Sequence, residues 1–119
     1  MIQILIVEDE VRLAAFLEKG LRKSGFHTSY AADGHQALQM LQANDFDLLL
    51  LDLGLPKLDG LEVLQALRSQ GKQYPVIVVT ARSDDRDKEK ALMAGASDYI
   101  TKPFSFKDLL ARVNLQLCR

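Results

Sequence analysis

The sequence predicts an α/β chain, a (βα)5 alternation wound on both faces of a parallel sheet in strand order 2-1-3-4-5. Short apolar runs alternate five times with longer amphipathic stretches. Three of those runs, 2–7, 48–51 and 76–79, are nearly continuous in Ile, Leu and Val, as expected of parallel strands covered by helices on both sides. No repeat, low-complexity segment or Pro/Gly/Ser linker interrupts the alternation, so 119 residues make one domain.

In chain order, the run 2–7 is the first strand and Leu13, Leu17 and Leu21 give the first helix its buried face. Ser24-Gly25 closes that helix. The second strand, 26–31, mixes His27, Thr28 and Ser29 with apolar residues, which suits a sheet edge. Asp33-Gly34 opens the second helix with a capping carboxylate, and Leu38 and Leu41 line it. Strand 48–51 is followed by a helix with Leu61, Leu64 and Leu67 on one side, then by strand 76–79. The stretch 84–90 has no apolar residue at all, so the fourth helix is expected to be the most weakly anchored. Strand 98–101 is the other edge. The last helix, from about Ser105, sets Phe106, Leu109, Leu110, Val113 and Leu117 against Lys107, Asp108, Arg112 and Gln116. The whole is the flavodoxin-like arrangement.

Composition excludes several functions. With 48% apolar and 26% charged residues the chain can bury a core and is not disordered. A net charge of −1 gives no general hold on nucleic acid or an anionic membrane. No apolar run approaches the roughly 20 residues of a membrane span, and the start has no basic signal region. The single cysteine, Cys118, has no disulfide partner and reads as a bystander in a reducing compartment, the cytoplasm.

In such a sheet ligands sit outside the carboxyl ends of the strands, where strand order reverses. Glu8, Asp9 and Glu10 follow the first strand, Asp52 ends the third, Thr80-Ala81 the fourth, and Lys102-Pro103 the fifth. Singly, Asp9 reads as a helix cap, Asp52 as a turn, Thr80 as a strand residue and Lys102 as a solvated charge. Together they require another account, because clustered carboxylates repel unless a cation joins them. Glu8, Asp9 and Asp52 against Lys102 leave two negative charges, which one divalent ion cancels. Oxygen-only ligands favour Mg²⁺, and His27 and His35 lack the spacing of a zinc site. If Asp52 attacks a phosphoryl group, Lys102 and the metal offset charge on the phosphoryl oxygens and Thr80 can hydrogen-bond one of them.

Five motifs carry a resemblance. The run from Ile4 to Glu10, the segment from Asp47 to Pro56, Asp59-Gly60, Val79-Thr80-Ala81, and the segment from Gly95 to Phe104 resemble the receiver domain of two-component response regulators over the whole chain. The resemblance implies that Asp52 accepts a phosphoryl group from a sensor histidine kinase. It also implies that Asp9, Asp52 and the carbonyl of Gly54 bind Mg²⁺, and that Glu8 holds a metal-bound water. Thr80 and Tyr99 would be a switch pair, and Lys102, before a cis Pro103, the phosphate contact. Tyr99 is expected to turn inward once Thr80 is drawn to the phosphoryl group. Glu8 departs from the family's frequent Asp, and Gly54 offers no side chain to orient an attacking water.

The segment 98–104, followed by 108–112, looks like the OmpR/PhoB-type subfamily, whose members carry a DNA-binding domain after the receiver. That domain is absent here, so DNA would be reached only through it, whether this chain is one piece of a longer protein or a stand-alone receiver. The subfamily resemblance also implies a homodimer on phosphorylation through Lys88, Lys90, Asp98, Asp108 and Arg112. Kinase specificity is expected on Val11, Leu13, Ala14 and Leu17 and the loop after Lys102. Three rivals fit less well. An Asp-based phosphatase resembles a D-x-D pattern, and Gly54 stands at its second position. A nucleotide binder would want a glycine-rich loop where Glu8-Asp9-Glu10 stand. A degenerate receiver would act only as a protein-binding module.

Overall fold

The computed structural model describes residues 1–118. Its elements are β1 Gln3–Val7, α1 Val11–Lys23, β2 His27–Ala31, α2 Gly34–Ala43, β3 Leu48–Leu51, α3 Gly60–Ser69, β4 Val76–Thr80, α4 Asp85–Met93, β5 Asp98–Thr101 and α5 Phe106–Gln116. All four strand pairings are parallel and the order is β2-β1-β3-β4-β5, as the alternation predicts. Strand bounds shift by at most one residue; β4 runs on to Thr80, which places that hydroxyl inside the sheet rather than after it.

Because alternate strand residues point to opposite faces, β1 feeds two cores. Ile4 and Ile6 join Leu48, Leu50, Ile77 and Val79 under Leu17 and Leu21 of α1 and Leu109 and Val113 of α5. Leu5 and Val7 join Leu49, Leu51 and Val76 under Ala37 and Leu41 of α2 and Val63, Leu64 and Leu67 of α3. A third, small cluster of Leu53, Val78, Ala91 and Tyr99, with Leu61 and Ala96 packed against it, seats α4, and Ala91 is that helix's one buried residue. The expectation of a weakly seated α4 is borne out. Among the described residues, no helix is long and apolar enough to cross a membrane.

Candidate functional site

Register builds the site. Val7 lies opposite Leu51, and the Asp52 amide donates to the Val7 carbonyl at 3.0 Å, so β1 and β3 end level and release Glu8 and Asp52 side by side. On the other flank Thr80 lies opposite Thr101, and the Lys102 amide donates to the Thr80 carbonyl at 2.8 Å. Asp52 is 7% exposed and Glu8 2%, while Asp9 faces solvent. One carboxylate oxygen from each of Glu8, Asp9 and Asp52 lies within 4.8 Å of the others. This oxygen-only, partly open donor set fits a small hard cation such as Mg²⁺.

The Lys102 ammonium reaches into the cluster. It donates to Glu8 Oε1 at 2.8 Å, Asp52 Oδ2 at 3.0 Å and Glu10 Oε2 at 3.0 Å. The second oxygens are also tied: Glu8 Oε2 accepts from the Glu10 amide at 3.1 Å and Asp52 Oδ1 from the Gly54 amide at 3.0 Å. Buried Thr80 accepts from the Arg82 amide through Oγ1 at 3.3 Å. The Lys102–Pro103 peptide is cis, as expected.

The same ion pair acts unequally on its partners. Burial pushes the Glu8 carboxyl above its ordinary value despite its bonds to Lys102 and the Glu10 amide. Burial alone would lower the Lys102 ammonium, but its bonds to Glu8, Asp52 and Glu10 outweigh that and hold it above its usual range. The ammonium stays charged because three acids share it. Glu8 is the strained member, a carboxylate taken out of water beside Asp52.

Asp9 does not cap α1, in keeping with its place in the acid cluster; the capping position belongs to Glu10, whose side chain makes no cap bond. Several expectations need correction. Tyr99 does not wait outside. It is already buried, with its hydroxyl donating to the Arg82 carbonyl at 2.7 Å, because its ring packs with Leu53, Val78 and Ala91 beneath α4. Ala14 and Leu17 cannot face a partner, since both are core residues under the sheet, whereas Val11, Arg12 and Phe16 are exposed on α1. On the expected dimer face, Arg112 pairs within the chain to Asp98 at 2.9 Å and Asp108 at 3.3 Å. Lys88 and Lys90 stand exposed on α4.

Sequence reasoning gave no role to Glu10, Arg82 or Gly60. Arg82 bonds Asp59 at 3.3 Å and offers its carbonyl to Tyr99, linking the β4 end to α3 and β5. A Cβ on Gly60 would collide with the Asp52 carbonyl and the Leu53 backbone, so α3 begins hard against the segment that presents Asp52. The Asp59-Gly60 pair was the available signal. Asp59 caps α3 and Gly60 gives close approach.

Comparisons with known proteins define the class. Residues 4–114 match the response regulator receiver domain family, and the chain belongs to it. The chain is 44% identical over 119 residues to response regulator ArlR of Staphylococcus saprophyticus, covering all of this chain and 54% of that protein. It is 42% identical over 119 residues to the transcriptional regulatory protein PcoR of Escherichia coli, again over all of this chain and 53% of that one. It therefore spans about half the length of these relatives. Among solved structures, response regulator TrrA of Thermotoga maritima in complex with Mg²⁺ and BeF superposes with a TM-score of 0.89 at 31% identity, covering 98% of this chain and 99% of that one. These relatives agree with the OmpR/PhoB-type resemblance, and the chain is a receiver domain of the two-component response regulator class. Receiver domains of this class bind Mg²⁺ at an acidic cluster and are phosphorylated by sensor histidine kinases.

Proposed function

We infer that Asp52 is the phosphoacceptor. The observation that carries this reading is a carboxylate at the end of a buried strand with Lys102 on one oxygen and two further acids beside it. An Asp52 oxygen attacks the phosphorus of a phosphohistidine, the O–P bond forms as the P–N bond breaks, and the electron pair leaves with the imidazole nitrogen. Asp9, Asp52 and the Gly54 carbonyl would hold Mg²⁺, with Glu8 reaching it through water. Bound there, the ion supplies charge neutralisation to the transferring oxygens. Lys102 neutralises one oxygen, and Thr80 turns its hydroxyl from the Arg82 amide toward another.

Thr80 and Tyr99 form the switch. Because the Tyr99 hydroxyl already rests on the Arg82 carbonyl, and Arg82 donates to Thr80, movement of Thr80 pulls on the segment that seats Tyr99 and α4. The output is a change in the α4–β5–α5 face, with Lys88, Lys90, Asp98, Asp108 and Arg112, and a dimer of the phosphorylated form. The relatives' length and the name of PcoR support the reading that this receiver controls a transcription regulator, working in the cytoplasm through a DNA-binding domain beyond it. The kinase docks on the exposed residues of α1 with the loop after Lys102.

Amide NMR spectra with beryllofluoride and Mg²⁺ test the pocket. A working receiver shifts the amides around Thr80 and α4 only when both are present, whereas Mg²⁺ alone moves those around Gly54. No response separates a degenerate module from a switch.

A further inference from the structure

All three hydrogens of the Lys102 ammonium are engaged, on Glu8, Asp52 and Glu10. If Asp52 is the acceptor, as argued above, Lys102 can serve a phosphoryl oxygen only when one of these acids lets go. Glu8 is buried and held by a second bond, and Asp52 is the acceptor itself. The Glu10 side chain is 63% exposed, its carboxylate bonds only Lys102 among the described residues, and it regains water on release.

The position of Glu10 adds an independent sign. The caps of α2, α3, α4 and α5, namely Asp33, Asp59, Asp84 and Ser105, are residues whose side chains accept from their helices. The cap of α1 is a glutamate that makes no such bond and reaches across to the β5 end instead. A local rule of helix initiation is set aside where a longer acid can touch the phosphate-binding lysine.

We propose that Glu10 is a positioning residue, a built-in placeholder that occupies Lys102 in the resting receiver and competes with the incoming phosphoryl group for it. Phosphoryl binding is then an exchange of one anion for another on a fixed ammonium. Glu10 sets how readily the pocket accepts a phosphoryl group, without entering the chemistry.

The test is the affinity of the Mg²⁺-loaded protein for beryllofluoride, read by fluorine NMR in wild type, Glu10→Gln, Glu10→Asp and, as a control at the opposite end of β3, Asp45→Asn. Removing the competitor tightens binding about two- to fivefold, the reach of a mostly exposed ion pair, and the gain shrinks at high salt. Glu10→Asp keeps the charge but loses the reach, so it also binds more tightly. As a better cap, it melts roughly 3–6 °C higher than wild type. Asp45→Asn leaves the affinity unchanged. Equal or weaker binding in Glu10→Gln overturns the placeholder, and so does an Asp variant that binds like wild type, which would mean the charge acts at a distance. If wild type itself does not bind, the phosphoacceptor reading fails and takes this inference with it; if wild type binds and the variants do not differ, only the placeholder fails.

Discussion

At the scale of single residues the site is a charge problem. Glu8, Asp9, Glu10 and Asp52 surround one ammonium, so the metal-free protein carries excess negative charge at one edge of its sheet. Removing one charge relieves it. In chelator, Asp52→Asn should stabilise the protein by about 1 kcal/mol: its single amide oxygen keeps the bond from Gly54 or from Lys102 but not both, and the fall in repulsion outweighs that loss. Thermal melts check this; Mg²⁺ should raise wild type, and a variant that melts below wild type in chelator would contradict the arrangement. A second titration lies far from the site. Tyr74 packs on the α2–α3 core with its hydroxyl buried and unpartnered, and burial pushes the phenol up to about 12. Between its usual value near 10 and that value the unfolded chain has lost the proton and the folded chain keeps it, so stability falls as pH rises through this window. Tyr74→Phe should melt no lower than wild type at neutral pH and lose less stability there, as melts between pH 9 and 12 would show.

At the scale of elements, anchoring is uneven. α1 and α5 clasp one face of the sheet and α2 and α3 the other, whereas α4 has one buried residue and a ring, Tyr99, beneath it. Hydrogen exchange should find the α4 amides the least protected of the five helices, and more protected once beryllofluoride and Mg²⁺ are bound. The start of α3 is the opposite case. Gly60→Ala drives a methyl into the Asp52 and Leu53 backbone, which should cost about 1–3 kcal/mol and weaken binding of the mimic, as melts and titration would record. The sequence showed these differences unevenly. Residues 84–90 announce a poorly seated helix because a run without apolar residues has nothing to bury. Strand-end acids announce a cation site because their repulsion must be balanced. Glu10 on Lys102 was not legible, and the Asp59-Gly60 pair signalled a close approach without saying that Asp52 is what Gly60 meets, since each depends on how one element approaches another across the fold. The seat of Tyr99 was misread for a similar reason: edge-strand position says nothing of the cluster with Leu53, Val78 and Ala91 that receives the ring.

At the scale of the whole molecule, five parallel strands end at one edge of the sheet, β4 and β5 two residues beyond β1 and β3, and that edge gathers what four of the strand ends supply. The output face lies beside that edge. Arg112 already shares Asp98 and Asp108 within the chain, so pairing between copies requires those bonds to be exchanged. Sedimentation of the mimic-bound protein should show a dimer that Arg112→Glu weakens; an undiminished dimer in that variant would move the interface elsewhere. The central claim, that Asp52 alone accepts the phosphoryl group, is tested most directly by mass spectrometry after incubation with acetyl phosphate and Mg²⁺. Wild type should gain a single phosphoryl group, lost on adding chelator beforehand, and Asp52→Asn should gain none. Undiminished labelling of Asp52→Asn would contradict the account.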